Sequence, residues 1–194
     1  KNVGSPYYGR IYVSDYSNDT VRGYSADGIN VLNLQYPAAF PAGVRGLSVG
    51  ADDRLYANVQ TDSGVPNIAG LLSFKQDGSD PVREADFLDQ PRQMVVTGTG
   101  AGRRYYYAQG ATQTAGPGQV LVQVAGDATQ WPLLNNLNDP AMDGTIDGIA
   151  VLDANNDPVG HANNVSIYIR TNATSATVGL STVLKFDNGN GDPL

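Results

Sequence analysis

A tyrosine-bearing strand that returns four times constrains this chain more than any other feature. The copies are Ile11-Tyr12-Val13, Leu55-Tyr56-Ala57, Tyr106-Tyr107-Ala108 and Ile167-Tyr168-Ile169. Aromatic and β-branched residues suit a pleated, half-buried surface, so each triplet reads as a short strand. A second strand follows each copy, over residues 20–24, 70–74, 119–124 and 182–186, and runs into Asp27-Gly28, Asp77-Gly78, Gly126-Asp127 or Asp187-Asn188-Gly189. Two short strands joined by turn residues and closed by Asp-Gly have the pattern of a β-hairpin.

Three of the four hairpins are preceded by an apolar strand, over residues 46–49, 93–96 and 148–152. Outer-strand candidates cover residues 29–34, 83–88 and 129–134. The chain therefore divides into four up-and-down units of three or four strands, approximately 1–40, 41–89, 90–140 and 141–194, within a single domain over residues 1–194. The spacing between units grows along the chain, with the added residues in loops, as repeat arrays drift. Sheets recurring every 45–60 residues or so predict an all-β fold, a small or partial β-propeller. A β-sandwich of short strands is the alternative that the same signals allow. The first unit has no inner strand before it and the last stops after its third strand, so exposed sheet edges are expected, and such edges invite pairing.

Composition supports the strand reading. The chain has 23 glycines and 11 prolines without a collagen period, which suits many tight turns. Glu84 is the sole glutamate among the carboxylates. Aspartate favours turns where glutamate favours helices, and no stretch carries a 3.6-residue apolar period. A formal charge of -7 argues against a nucleic-acid partner, which calls for a basic patch. No run of apolar residues is long enough for a membrane-spanning helix. With 0 cysteines, disulfides and thiolate metal sites are excluded. The chain opens at Lys1 without a signal-like apolar stretch, as expected for a mature processed protein or a piece of a longer one.

The phrase Gly9-Arg10-Ile11-Tyr12-Val13-Ser14-Asp15, continuing through Asn18, Val21, Tyr24 and Asp27-Gly28, resembles a blade of NHL-type propellers. It is also similar to blades of the gluconolactonase family, and Ile146-Asp147-Gly148-Ile149-Ala150-Val151 resembles the inner-strand phrase of the same blades. The lactonase resemblance implies a divalent metal in a central channel, held by an early Glu, an Asn before one inner strand and an Asp before another. Asp147 matches that Asp. The entrances of the second and third units, Gly43-Val44-Arg45 and Gln90-Pro91-Arg92, offer no Asn, and no Glu precedes the first unit. Read from the residues alone, Asp147 is a turn residue capping an inner strand.

Other chemistry is sparse. His161 is the only histidine and sits in what reads as a loop insertion, Gly160-His161-Ala162-Asn163, so a serine triad is not expected. Gly98-Thr99-Gly100-Ala101-Gly102 is followed by a strand pattern instead of a helix, which makes it a hairpin tip and not a phosphate loop. No cofactor is required by any motif. Calcium is the metal with the best supply of hard oxygen ligands, from Asp153, Asn155 and Asp157 and from Asp187, Asn190 and Asp192. Asn18, Asn164 and Asn172 open Asn-x-Ser/Thr sequons and are candidate glycosylation sites. Tyr105, Tyr106 and Trp131 are candidate binding aromatics, the kind of side chain that marks contact surfaces.

These readings converge on a non-enzymatic extracellular or cell-surface protein that acts through its surface and edges. Its sharpest form is a secreted, self-assembling structural subunit, joined to its neighbours by strand complementation into a filament. A metal-dependent hydrolase of the sugar-lactonase type, with Asp147 at its metal, is the second expectation. A carbohydrate- or peptide-binding module is the third.

Overall fold

A computed structural model describes residues 3–35, 43–59, 70–86, 91–109, 119–135, 145–153, 165–172 and 181–188. Over these residues the chain is all-β. The strands are β1 (Ile11–Asp15), β2 (Thr20–Tyr24), β3 (Asn30–Gln35), β4 (Val44–Val49), β5 (Arg54–Val59), β6 (Gly70–Lys75) and β7 (Val82–Asp86). They continue with β8 (Pro91–Thr97), β9 (Arg104–Gln109), β10 (Gln119–Val124), β11 (Trp131–Asn135), β12 (Thr145–Asp153), β13 (Val165–Asn172) and β14 (Ser181–Asn188). The glycine-rich stretch after β8 forms a short 3₁₀ turn, Gly100–Gly102. Every sheet is an antiparallel meander of consecutive strands: β1–β2–β3, β4–β5–β6–β7, β8–β9–β10–β11 and β12–β13–β14. The chain separates into two compact units, Lys1–Pro91 and Arg92–Leu194, each holding two sheets.

In the first unit, local chemistry sets the hairpins. Ser25 N donates to Ile29 O at 2.9 Å and Gly28 N to Ser25 O at 2.9 Å, and the next sheet repeats the pattern with Lys75 N to Ser79 O at 2.9 Å and Gly78 N to Lys75 O at 2.8 Å. Both turns place glycine at positive φ, 84° at Gly28 and 86° at Gly78, a conformation that is unstrained only without a Cβ. The preceding Asp27 and Asp77 carboxylates accept from Ser25 Oγ and from Ser79 N and Oγ, which closes each turn.

Face-to-face packing of the two sheets builds the core of this unit. Val21, Val44, Leu55, Ala57, Val59, Leu72 and Phe74 are buried together, with Tyr12, Leu34, Leu47 and Val49 packed against them. Alternation on β5 puts Leu55, Ala57 and Val59 on this face. Tyr56 and Asn58, on the other face of β5, are also fully buried. Each large apolar side chain removed from water in this way contributes about 1.5–3 kcal/mol.

The second unit repeats the arrangement. Tyr106, Ala108, Val120, Ile146 and Ile169 are buried together, with Val122, Ile149 and Val151 against them, so β9 and β10 pack on β12 and β13. This corrects the register of the repeat. Tyr12 packs on the second sheet of its unit. The tyrosine in the same relation within the second unit is Tyr106, not Tyr107. Aligning β5 and β9 on their first residues, Arg54 and Arg104, gives the same answer, with Tyr56 matched to Tyr106. Three consecutive tyrosines carry no alternation, so the one-residue slip was invisible in the sequence.

Inner strands β4 and β12 share a bulge. The register jumps between Val44 and Leu47 in β4 and between Ile146 and Gly148 in β12. Asp147 therefore lies inside β12 as the extra residue of that bulge. The expectation of a capping residue ahead of the strand is corrected: pairing of Thr145 with Asn172 and Ile146 with Thr171 carries the strand past it.

Candidate functional site

The first sheet differs from the second in having one apolar face open. Ile11 and Val13 on β1 are 59% and 47% exposed and Val31 on β3 is 43% exposed. The residues alternating with them, Tyr12, Val21 and Leu34, belong to the core. Ile11 pairs with Tyr24 and Val13 with Arg22, so these four residues share the open face. Asp15 and Arg22 form an ion pair at 3.4 Å beside it. Hydrogen bonds from Asn18 hold the Asp15 carboxyl below the usual carboxylate range. Among the described residues β1 is also an edge strand of its sheet, whereas in the second sheet the equivalent strand, β5, has β4 on that side.

The opposite face of the first sheet forms a well-fastened sheet-to-sheet contact. Tyr12 Oη donates to Gln76 Oε1 at 2.7 Å, Gln76 Nε2 donates to Asp53 O at 2.8 Å, and Arg10 Nη1 donates to Gln76 O at 3.2 Å. Partial burial raises the Tyr12 phenol above its ordinary value. Ser14 Oγ donates to Arg45 O at 2.8 Å. The Arg45 guanidinium stands 4.5 Å over the Tyr16 ring. That ring lies against Gly43, where a Cβ would collide with it unless the Tyr16 side chain moved.

The sole glutamate braces its sheet. Glu84 Oε1 accepts from the buried Ser73 Oγ at 2.6 Å, and Ser73 Oγ in turn accepts from Arg54 Nε at 2.9 Å. Arg54 Nη1 meets Asp80 Oδ2 at 2.9 Å and Nη2 donates to Asp80 O at 2.6 Å. This arginine ties β5 and β6 to the turn before β7, and its charge is matched by the carboxylates at either end.

The aromatic expectation divides. Trp131 is half exposed, but Tyr105 and Tyr106 are fully buried and present no ring to a ligand. Packing on β12 and β13 covers Tyr106. Burial likewise pushes the neighbouring Tyr107 phenol upward. Asn18 stands exposed in the β1–β2 turn, its Nδ2 donating to Asp15 Oδ2 at 2.8 Å.

The register brings Asp153, Asp187 and Asn188 to one end of the last sheet. Asp153 and Asn188 pair with Val165 from either side, and Asp187 pairs with Ser166. Asn172 closes β13 at the other end, paired with Thr145 and Ser181. Asn155, Asp157, His161, Asn164, Asn190 and Asp192 lie outside the described residues. Among the described residues no group of three or more His, Cys, Asp or Glu side chains could hold a metal. The donor set implied by the lactonase resemblance does not fit. Asp147 directly follows Ile146, the last paired residue before the bulge, and the residue in that place in β4, after Val44, is Arg45, a cation where that resemblance requires an oxygen ligand.

No model of a known protein family matches this chain, and no curated protein matches it either. Sequence reasoning overlooked Ile11, Val13 and Val31. A signal was available: β1 carries apolar residues at successive positions, so both of its faces are apolar, the mark of a strand that is covered on both sides.

Proposed function

We propose that this protein is a non-enzymatic structural subunit, built from propeller-blade-like sheets, that joins copies of itself by strand complementation at β1. One observation carries the reading. Among the described residues the first sheet has three strands, and the inner position that β4 fills in the second sheet and β8 in the third is not filled beside β1. An edge strand offers a row of backbone N–H and C=O groups to any strand laid along it. The sequential meander of every sheet supports the blade reading over a sandwich, whose Greek-key connections carry the chain between sheets. The exposed Asn18 sequon supports an extracellular or cell-surface setting.

Light scattering across a concentration series, with negative-stain images of the same sample, tests the proposal. Regular assemblies that grow with concentration are expected. A synthetic peptide with the sequence of β12 is expected to cap β1 and shorten them. A particle of 20.4 kDa at every concentration would sink the reading.

A further inference from the structure

The open face of the first sheet has an internal template for its partner. Ile11 and Val13 occupy the positions of Leu55 and Ala57, since Ile11 pairs with Tyr24 and Leu55 with Phe74 at matching distances from Asp27-Gly28 and Asp77-Gly78. Leu55 and Ala57 are covered by the face of the preceding sheet that carries Tyr12 and Leu34. The second unit obeys the same rule. Ile149, Val151 and Ile169 of its later sheet are covered by the face of its earlier sheet that carries Tyr106 and Val122. In both units, then, the face equivalent to Ile11 and Val13 is closed by a sheet presenting the tyrosine position of the repeat.

We infer that the face formed by Ile11, Val13 and Val31 docks the last sheet, β12–β14, of a second copy of this chain. The inference rests on the self-association proposed above and names its partner surface. The last sheet carries the tyrosine position at residue 168, which pairs with Ala150 and Lys185. Ala150 is exposed, so that face is open on β12. It alternates with the covered face of Ile149 and Val151. The two docking faces are different surfaces, so the contact is head-to-tail and propagates into a filament or closes into a ring of copies.

The test compares the full-length chain with Ile11→Glu/Val13→Glu and with Val82→Glu, a control at an exposed position of the second sheet. Sedimentation velocity over a dilution series is expected to show assembly of the wild type and of Val82→Glu at the same concentrations. The double variant should need at least about tenfold more protein. Because the chain has no cysteine, single replacements give a readout that tolerates any loss of stability in the double variant. Val13→Cys and Ala150→Cys chains carrying tags of different mass are mixed and oxidised, and a mixed disulfide dimer is expected. Val13→Cys with Val82→Cys should yield none. Assembly of the double variant at wild-type concentrations, or absence of the Val13–Ala150 link, overturns the docking face and leaves self-association standing. A wild type that never assembles overturns both.

Discussion

The first two sheets use the same local code and end in different environments. Both carry a tyrosine strand, an Asp-Gly turn with glycine at positive φ, and an aromatic residue, Tyr24 or Phe74, leading into that turn. Yet Leu55 is 1% exposed where its counterpart Ile11 is 59% exposed, and Tyr56 is buried where Tyr12 is half-buried. Among the described residues the second sheet has a fourth strand and is covered on both faces; the first has three strands and one open face. The lesson concerns where stability resides in a stacked sheet. A repeat position becomes a core position only when a neighbour arrives to cover it.

The comparison breaks most easily at its apolar positions. Leu55→Ala should cost about 2–5 kcal/mol, the loss expected for a buried leucine in a close-packed core. Ile11→Ala should stay within about 0.5 kcal/mol in the monomer. Urea unfolding at low protein concentration measures both, and equal losses would mean that the two faces are equally covered in solution.

Next come the tyrosine hydroxyls. Tyr12→Phe leaves the acceptor of the buried Gln76 side chain unsatisfied and should cost about 1–3 kcal/mol. Tyr56 donates to Asp52 at 2.8 Å, a carboxylate in partial contact with water, so Tyr56→Phe should cost about 1 kcal/mol or less. The less buried ring is thus expected to matter more through its hydroxyl. A reversed order in denaturation midpoints would show that ring burial, and not the Gln76 bond, governs the contact.

The turn glycines sharpen the comparison further. Gly28→Ala places a Cβ in open space at φ 84°, and the left-handed backbone alone should cost about 1–2 kcal/mol. Gly78→Ala meets the same backbone penalty and also sets a Cβ 3.1 Å from Leu34 Cδ1, so it should cost more. Thermal melts of the two variants read the difference directly.

The smallest effect is the acid response of the turns. Asp27 and Asp77 both lie below the ordinary 3.8, each chiefly because a serine hydroxyl donates to the carboxylate. A depressed folded value means that the unfolded chain takes up the proton first. Stability from these turns is therefore complete well above pH 3.8, begins to fade near it, and is gone below the depressed folded values. Asp27→Asn and Asp77→Asn should each flatten the fall of the urea midpoint in that window, by similar amounts. Unequal flattening would show that the covered sheet loads its turn differently.

Much of this fold was legible because its determinants are short-range. Asp27-Gly28 and Asp77-Gly78 specify the same hairpin wherever they occur, and each sheet lies within one of the four sequence units. The tyrosine register of the third unit was not legible. Tyr105-Tyr106-Tyr107 offers three equivalent choices, and the packing of β12 and β13 selects Tyr106. Asp147 read as a cap because a bulge has no signature in composition; only the paired register reveals it. Tyr105 read as a surface aromatic because tyrosine is at home in either setting, and its burial is a property of its surroundings.

By itself, the sequence determined the all-β class, the meander of consecutive strands and the turns that join them, since these depend on backbone preferences acting over a few residues. The tertiary structure decided which tyrosine meets its neighbour, which carboxylate sits in a bulge, and which of two like faces is covered. Those outcomes depend on contacts between residues far apart in the chain, and the repeat writes nearly the same residues on a covered face as on an open one.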